Sequence, residues 1–488
     1  MKKLSFNKEC LVQFVMIAIV AVCLLPIMSK ECLLFDESFT INLVRKGWKD
    51  IIYFTSLDVH PPLYYLVVKL FVTLFGGANA PLFVWHLTSF LFYIGLLLMS
   101  AWFFHKYFDA RLSLFVTIML CSVPNMLPYA LQLRMYSMCM FFVAASFYLV
   151  YIIIDNVQKL GAVKFDKHWC LLMLVNVATA YTHYFAAIAV VGSSLFLLVY
   201  LLFLRNINRK AMLKTWALHV LGMFVLYLPW IPVLLRQMSD IDGNYWILPL
   251  TEAALHEYPG ILFEMDNPEL KLLLMVLFVI GFFLLVYVSV FEKKYLWLWG
   301  CYGVVLFWFV LLIGYSVIRN PVLVDRYMVM LLPLFWIPVI AGYRYFNDKM
   351  ANGLVFILLT LCFITNYDSL YNRYARSNDI VMNKYIEENM PEDAVFFDFY
   401  IQTLSINSAY FPSREQYGLD TVYNGQAFKH WEEMLDCTFI SSLEELQISG
   451  IEIWCKSGDY IQSFEECGFQ VIMEEVGTEN LYIIYYPQ

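Results

Sequence analysis

The sequence predicts a polytopic α-helical membrane protein that carries a small α/β domain at its C-terminal end. Of its 488 residues 61% are hydrophobic and 15% charged, against about a quarter charged in an average soluble domain. Apolar runs recur from Leu11 to Asn366, which excludes a single anchor on a soluble body. From Asp368 onward the composition turns: 6 Lys+Arg stand against 21 Asp+Glu, a net charge of -15 that leaves +7 for the rest of the chain. A mildly basic membrane domain (1–367) is therefore expected to precede an acidic soluble domain (368–488). Thirteen Trp and 34 Tyr suit the two bilayer interfaces. Disordered, collagen-like, disulfide-scaffold and nucleic-acid-binding classes are excluded by the same figures.

Taken in order, the first span is expected over 11–28, behind Lys2, Lys3 and Lys8 and with no small-residue cleavage site after it. The residues that follow (29–80) form an outer loop. Within it Pro62 to Phe75 is 14 residues long, about 21 Å of helix against a hydrocarbon core of about 30 Å. It therefore reads as an interfacial juxtamembrane helix on the outer face, started by proline. Further spans are expected over 81–104, 112–128, 136–154, 169–184, 185–204, 215–235, 270–291, 295–317, 327–345 and 351–367. These eleven crossings put 16 of the 32 basic residues in the short inner loops, as the positive-inside rule requires. The N-terminus is then cytoplasmic and the C-terminal domain extracytoplasmic.

In that domain Ala394 to Tyr400, Ile451 to Lys456, Phe469 to Met473 and Leu481 to Tyr486 have strand character. Asn383 to Asn389 and Tyr460 to Cys467 have helical character. Seven of the 11 cysteines lie in or beside spans, and Cys32, Cys437, Cys455 and Cys467 face outside; a disulfide among these four stays open, with no pairing indicated. There is no internal repeat, P-loop or GxGxxG, so nothing points to a nucleotide-driven pump.

Charges away from the inner loops are expensive in a membrane domain and are read first as functional. Here they gather on the outer face: Asp36-Glu37, Asp58-x-His60-Pro61-Pro62, Arg134-Met135-Tyr136, Thr182-His183-Tyr184 and Asp325-Arg326-Tyr327. Such a set suits group transfer from a phosphorylated lipid. A carboxylate can take a proton from an acceptor hydroxyl, while guanidinium groups neutralise a phosphate leaving group. Arg134 and Arg326 fit the second role. His60 and His183 can donate to phosphate or sugar oxygens, and Tyr136, Tyr184 and Tyr327 can stack on or bond a sugar. With no nucleotide site, the energy has to reside in an activated lipid donor.

The joint pattern Asp36-Glu37, Asp58-Val59-His60-Pro61-Pro62-Leu63-Tyr64-Tyr65, Arg134-Met135-Tyr136-Ser137, Thr182-His183-Tyr184 and Arg326-Tyr327 resembles the GT-C glycosyltransferases. Within them it is most similar to the bacterial branch grouped with protein O-mannosyltransferases and aminoarabinose transferases. The resemblance covers roughly the first 345 residues. It implies a GT-C fold with about 11 transmembrane helices and outer juxtamembrane helices. It also implies inverting transfer of a sugar from a polyprenyl-phosphate donor to an envelope lipid, glycan or protein acceptor. By motif position Asp36 is the catalytic acid group, acting as base or organiser, and Glu37 is its companion. Asp58, His60, Arg134 and Arg326 fall to the substrate, with Lys69 on the juxtamembrane helix a weaker member. Where many relatives carry an acid two places before the Arg-Met-Tyr arginine, this chain has Gln132, which can bond a sugar hydroxyl but cannot act as a base. No cofactor is demanded, and whether a divalent metal takes part is left open.

Two rivals stand beside this reading. A lipid-linked glycan flippase or other transporter would spread ionisable groups through the bilayer midplane; this chain concentrates them at one interface. A catalytically inactive scaffold subunit is kept open by Gln132 and opposed by Asp36, Arg134 and Arg326.

Overall fold

The computed structural model describes residues 8–487 apart from 206, 241–246, 248–249, 252–257, 294, 346–348, 420–428 and 448–449. Lys2, Lys3 and Lys294 of the charge reading lie outside these. Among the described residues nine helices are long and apolar enough to cross a membrane, and the protein is a multi-pass membrane protein. In chain order the helices are α1 (Lys8–Leu24), α2 (Phe35–Arg45), α3 (Trp48–Leu57), α4 (Leu63–Leu74), α5 (Leu82–Tyr107), α6 (Ala110–Ser122) and α7 (Met126–Leu131). There follow α8 (Tyr136–Leu160), α9 (Lys167–Ala180), α10 (Tyr184–Phe203), α11 (Arg209–Tyr227), α12 (Ile231–Asp240), α13 (Pro268–Phe291), α14 (Trp299–Ile318), α15 (Leu332–Tyr345) and α16 (Lys349–Ala375).

Polar residues set the helix ends. The Asp109 carboxylate accepts from Arg111 N and Leu112 N at 3.0 and 2.9 Å to start α6, and Asp166 does the same for α9 through His168 N. Asn267 caps α13, whose first residue is Pro268. Gly161, at φ 63°, closes α8 in the left-handed conformation. Nine of the eleven expected crossings correspond to the long helices. The other two, over 112–128 and 169–184, are the 13-residue α6 and the 14-residue α9. Helix α6 stops before Pro124, and α9 gives way at Tyr181 to the turn that begins α10.

The chain divides into two compact units. The first comprises Met1–Leu25, Asp58–Tyr64 and His86–Leu370. Its helices are joined by apolar packing and by a few internal polar contacts. Gln13 of α1 donates to Ser113 O at 2.9 Å and Thr117 Oγ1 at 2.6 Å on α6. A second chain of bonds crosses four helices: Ser146 Oγ (α8) donates to Asn176 Oδ1 (α9) at 2.7 Å, and Asn176 Nδ2 donates to Ser194 Oγ (α10) at 3.0 Å. The Ser194 hydroxyl then meets His219 Nε2 (α11) at 3.3 Å. Helices α13 and α15 approach so closely at Gly281 and Gly342 that a Cβ on Gly342 would stand 2.5 Å from the Gly281 carbonyl oxygen.

The second unit comprises Pro26–Leu57, Tyr65–Trp85 and Tyr371–Gln488. The C-terminal segment adds helices α17 (Asn378–Asn389), α18 (Ile401–Tyr410), α19 (Lys429–Leu435) and α20 (Ile461–Glu466) to six strands. The strands are β1 (Val395–Asp398), β2 (Gln416–Leu419), β3 (Thr438–Ile440), β4 (Glu452–Cys455), β5 (Gln470–Val476) and β6 (Glu479–Tyr485), in sheet order β3-β2-β1-β4-β6-β5. The first four are parallel; β6 runs antiparallel to β4 and forms a hairpin with β5. Alternation along β1 and β4 fills both faces, with Val395, Phe397 and Ile453 in one core and Phe396 and Trp454 in the other. Helix α2, from the first loop, is fastened to α18. Asn42 Nδ2 donates to Ser405 O at 2.9 Å, and Arg45 donates to Ser408 O and Ala409 O, each at 2.8 Å. All 11 cysteines are free.

Candidate functional site

The first unit brings together residues that lie far apart in sequence. After α3 the chain turns at Asp58–Pro62, and α4 is then pinned at its start. Leu63 N donates to Tyr181 O at 3.0 Å, and the Tyr64 hydroxyl bonds Ser89 Oγ at 2.7 Å, which in turn donates to Gln132 O at 2.7 Å. The same α5 helix holds the segment before α8 a second time, since His86 Nδ1 lies 2.8 Å from Leu131 O. These ties set the Asp58-His60 turn beside the Gln132–Arg134 segment.

There Asp58 Oδ2 and His60 Nδ1 are 3.0 Å apart, and Arg134 Nη2 lies 3.5 Å from His60 Nε2. A carboxylate accepts only, so the bond assigns the His60 proton to Nδ1 and leaves Nε2 to accept from the guanidinium. Burial pushes the Asp58 carboxyl up, but the His60 hydrogen bond, the Val59 N–H and Arg134 outweigh it. The group is held below the usual carboxylate range.

His183 stands at the N-terminus of α10 and caps it: Phe185 N donates to His183 Nδ1 at 3.1 Å. In neutral imidazole this leaves the proton on Nε2, and Nε2 is buried with no hydrogen-bond partner among the described residues. The ring lies 5.6 Å from that of His60 and 5.2 Å from Tyr327, and Arg134 and Arg326 are the fixed charges that act on it. Tyr136, Phe185 and Tyr327 line the ring on its other sides. Arg134 is 3% exposed and His183 3%. A buried N–H donor, two guanidinium groups and a helix N-terminus form a site suited to an anion.

The Gln132 side-chain oxygen is buried without a partner among the described residues. The Tyr184 hydroxyl donates to Gln237 Oε1 and accepts from Trp230 Nε1, and Arg326 lies over the Tyr327 ring at 5.9 Å. Asp36, Glu37 and Lys69 belong to the second unit. Asp36 and Glu37 occupy the first turn of α2, where the helix dipole complements negative charge. Glu37 is fully buried and accepts from Leu34 N at 3.0 Å, and Asp36 is half-buried. Lys69 Nζ donates to Val44 O at 2.9 Å, satisfying a carbonyl of the last turn of α2. Among the described residues no group of three His, Cys, Asp or Glu side chains is placed to hold a metal ion.

Sequence reasoning missed Gln237, His86 and Ser89. The first is the most instructive: Gln237 is 3% exposed on α12 and donates to the Asp58 carbonyl. Its one signal is a buried polar side chain in a short helix that starts behind Trp230.

No protein-family model matches the chain, and no curated protein matches it. Solved structures do. ArnT from Cupriavidus metallidurans in the apo state superposes with a TM-score of 0.59 at 14% identity, covering 97% of each chain. The same protein bound to undecaprenyl phosphate gives 0.56 at 13% identity, covering 98% of each. At that identity the likeness is one of fold, and over nearly its whole length the chain has the architecture of the GT-C glycosyltransferases.

Proposed function

We propose that the protein is an integral membrane glycosyltransferase that moves a sugar from a polyprenyl-phosphate donor to an acceptor on the outer face of the membrane, with inversion. The observation that carries this reading is the buried His183 Nε2–H, without a hydrogen-bond partner among the described residues, in the field of Arg134 and Arg326 at the head of α10. A lipid phosphate can accept from the His183 N–H and bring an anion beside Arg134 and Arg326. The GT-C architecture, and undecaprenyl phosphate bound to the ArnT of similar fold, support the same donor class.

In the proposed reaction Asp36 takes the proton of an acceptor hydroxyl as its oxygen bonds to the anomeric carbon. The bond from that carbon to phosphate oxygen breaks, and the lipid phosphate leaves with the electron pair. Arg134, Arg326 and the His183 N–H stabilise the charge that develops there. A single displacement inverts the anomeric centre. Gln132 and the tyrosines Tyr136 and Tyr327 are assigned to the sugar. The acceptor is an envelope lipid, glycan or protein.

The test is transfer from a mixed pool of radiolabelled polyprenyl-phosphate sugars in membranes carrying the natural chain or Asp36→Asn. Labelling that depends on Asp36 supports the reading. Equal labelling by folded Asp36→Asn removes Asp36 as base, and no labelling by either chain removes the transferase.

A further inference from the structure

Gln237 is not near the head of α10 by accident of packing. Trp230 Nε1–H donates to the Tyr184 hydroxyl at 2.9 Å, that hydroxyl donates to Gln237 Oε1, and Gln237 Nε2–H donates to the Asp58 carbonyl. The series continues through the Asp58 carboxylate and His60 Nδ1 at 3.0 Å to His60 Nε2 and Arg134 Nη2 at 3.5 Å. The amide of Gln237 has its orientation forced by these partners: a hydroxyl donor on one side requires the oxygen, and a carbonyl on the other requires the nitrogen. Gln237 and Trp230 are both buried, at 3% and 5% exposed. Helix α12 is thereby bonded to a turn 179 residues earlier in the chain.

We propose that Gln237 is a positioning residue for the transfer reaction: by holding the Asp58 backbone it fixes the carboxylate that selects the His60 tautomer and so the direction in which Arg134 is presented. The backbone of the turn distinguishes this role from simple packing. His60 precedes two prolines, which supply no N–H, and the next backbone bond from the first unit is that of Leu63. Without the Gln237 bond Asp58 can rotate away from His60, and the imidazole is then free to carry its proton on either nitrogen. Tyr184 serves the same end one step removed, since it orients the Gln237 amide rather than the turn.

The kinetic part of this inference rests on the transferase reading, so its test has an independent arm. Full-length protein with ¹⁵N-labelled histidine is purified in detergent, and the His60 signal is identified by its loss in His60→Gln. In the natural chain His60 is expected as a single Nδ1–H tautomer. Gln237→Met keeps the length and burial of the side chain, and Gln237→Glu keeps an oxygen toward Tyr184 but has no donor for Asp58. Both are expected to turn His60 into a tautomer mixture and to lower kcat about 10- to 100-fold, with KM for the lipid donor nearly unchanged. Tyr184→Phe leaves the Asp58 bond and is expected to do less of both. A His60 signal that remains a single Nδ1–H tautomer in folded Gln237→Met overturns the proposal, as does a tautomer mixture with kcat unchanged. Loss of the tautomer in a chain whose natural form shows no transfer supports the positioning contact and removes only the transferase.

Discussion

On the proposed function, replacing Asp58 by Asn separates holding the lipid phosphate from using it. The oxygen of the introduced amide still accepts from His60 Nδ1–H, so the turn keeps its geometry while the cluster loses a negative charge. Asp58 and Arg134 are separated by the His60 ring and its two bonds of 3.0 and 3.5 Å, and a phosphate on Arg134 sits on the order of 8 Å from the carboxylate. At that distance and an effective dielectric of about 20, two like charges repel by about 2 kcal/mol. Asp58 is 22% exposed, and solvent screening roughly halves the figure, to about 1 kcal/mol. Asp58→Asn should therefore bind undecaprenyl phosphate about fivefold more tightly than the natural chain. Sugar transfer should fall, because an amide can present its NH2 as well as its oxygen to His60 and no longer fixes the Nδ1–H tautomer. Isothermal titration of the detergent-purified chain with the lipid phosphate, beside the transfer assay, measures both. Unchanged or weaker binding by a folded variant would refute the placement of the phosphate beside Arg134.

Arg134→Gln should weaken binding of the same lipid by about 1.5–3 kcal/mol, roughly 10- to 150-fold, the worth of a hydrogen bond to a charged group; the same titration checks it. Gly342→Leu should destabilise the folded chain by about 1–3 kcal/mol through overpacking against α13. Gly314→Leu, where a Cβ meets nothing within 4 Å, should not, and thermal melts in detergent compare the two. In the second unit Asp398 is fully buried, and burial pushes its carboxyl up to about 7 against opposition from the Tyr400 and Phe399 N–H groups and Lys456. The folded state then binds the extra proton between about pH 4 and 7, so this group's contribution to stability falls as pH rises through that window and stays lost above it. Asp398→Asn should accordingly raise the melting temperature at pH 8 more than at pH 5, by an amount set by about 3 kcal/mol.

What was legible in the sequence followed from period and composition. Spans of 20 or more apolar residues, the turn of composition at Asp368 and the strands at Val395–Asp398, Glu452–Cys455, Gln470–Val476 and Glu479–Tyr485 all leave a local imprint. Strands β2 and β3 do not. Gln416–Leu419 and Thr438–Ile440 are four and three residues long, and it is parallel pairing with β1 and with each other that makes them strands. Helices α6 and α9 read as crossings because apolar residues continue past Ser122 and Ala180 into turns, where Pro124 and the His183 cap end the regular backbone. In the site, the residue types at Asp58, His60, Arg134 and His183 were legible from their cost in a membrane. Their mutual geometry was not, since it depends on Ser89 and Gln237, ordinary polar residues on helices whose periodicity says nothing of their partners. Lys69 shows the converse: its charge is visible in the sequence, while its bond to the Val44 carbonyl depends on how α4 lies against α2.

The bonded series Ser146, Asn176, Ser194 and His219 bears on how the protein is made. His219 lies near the middle of α11 and Asn176 in the second half of α9, both buried, so neither helix is at ease in hydrocarbon by itself. Each becomes so when α8 and α10 arrive with their serines. These four helices are therefore expected to enter the bilayer as a cohort, held at the insertion machinery until the last member has emerged. A nascent chain halted after Ala180 would expose the Asn176 amide nitrogen, whose partner Ser194 is not yet synthesised, and quality control has a physical mark by which to recognise the unfinished product.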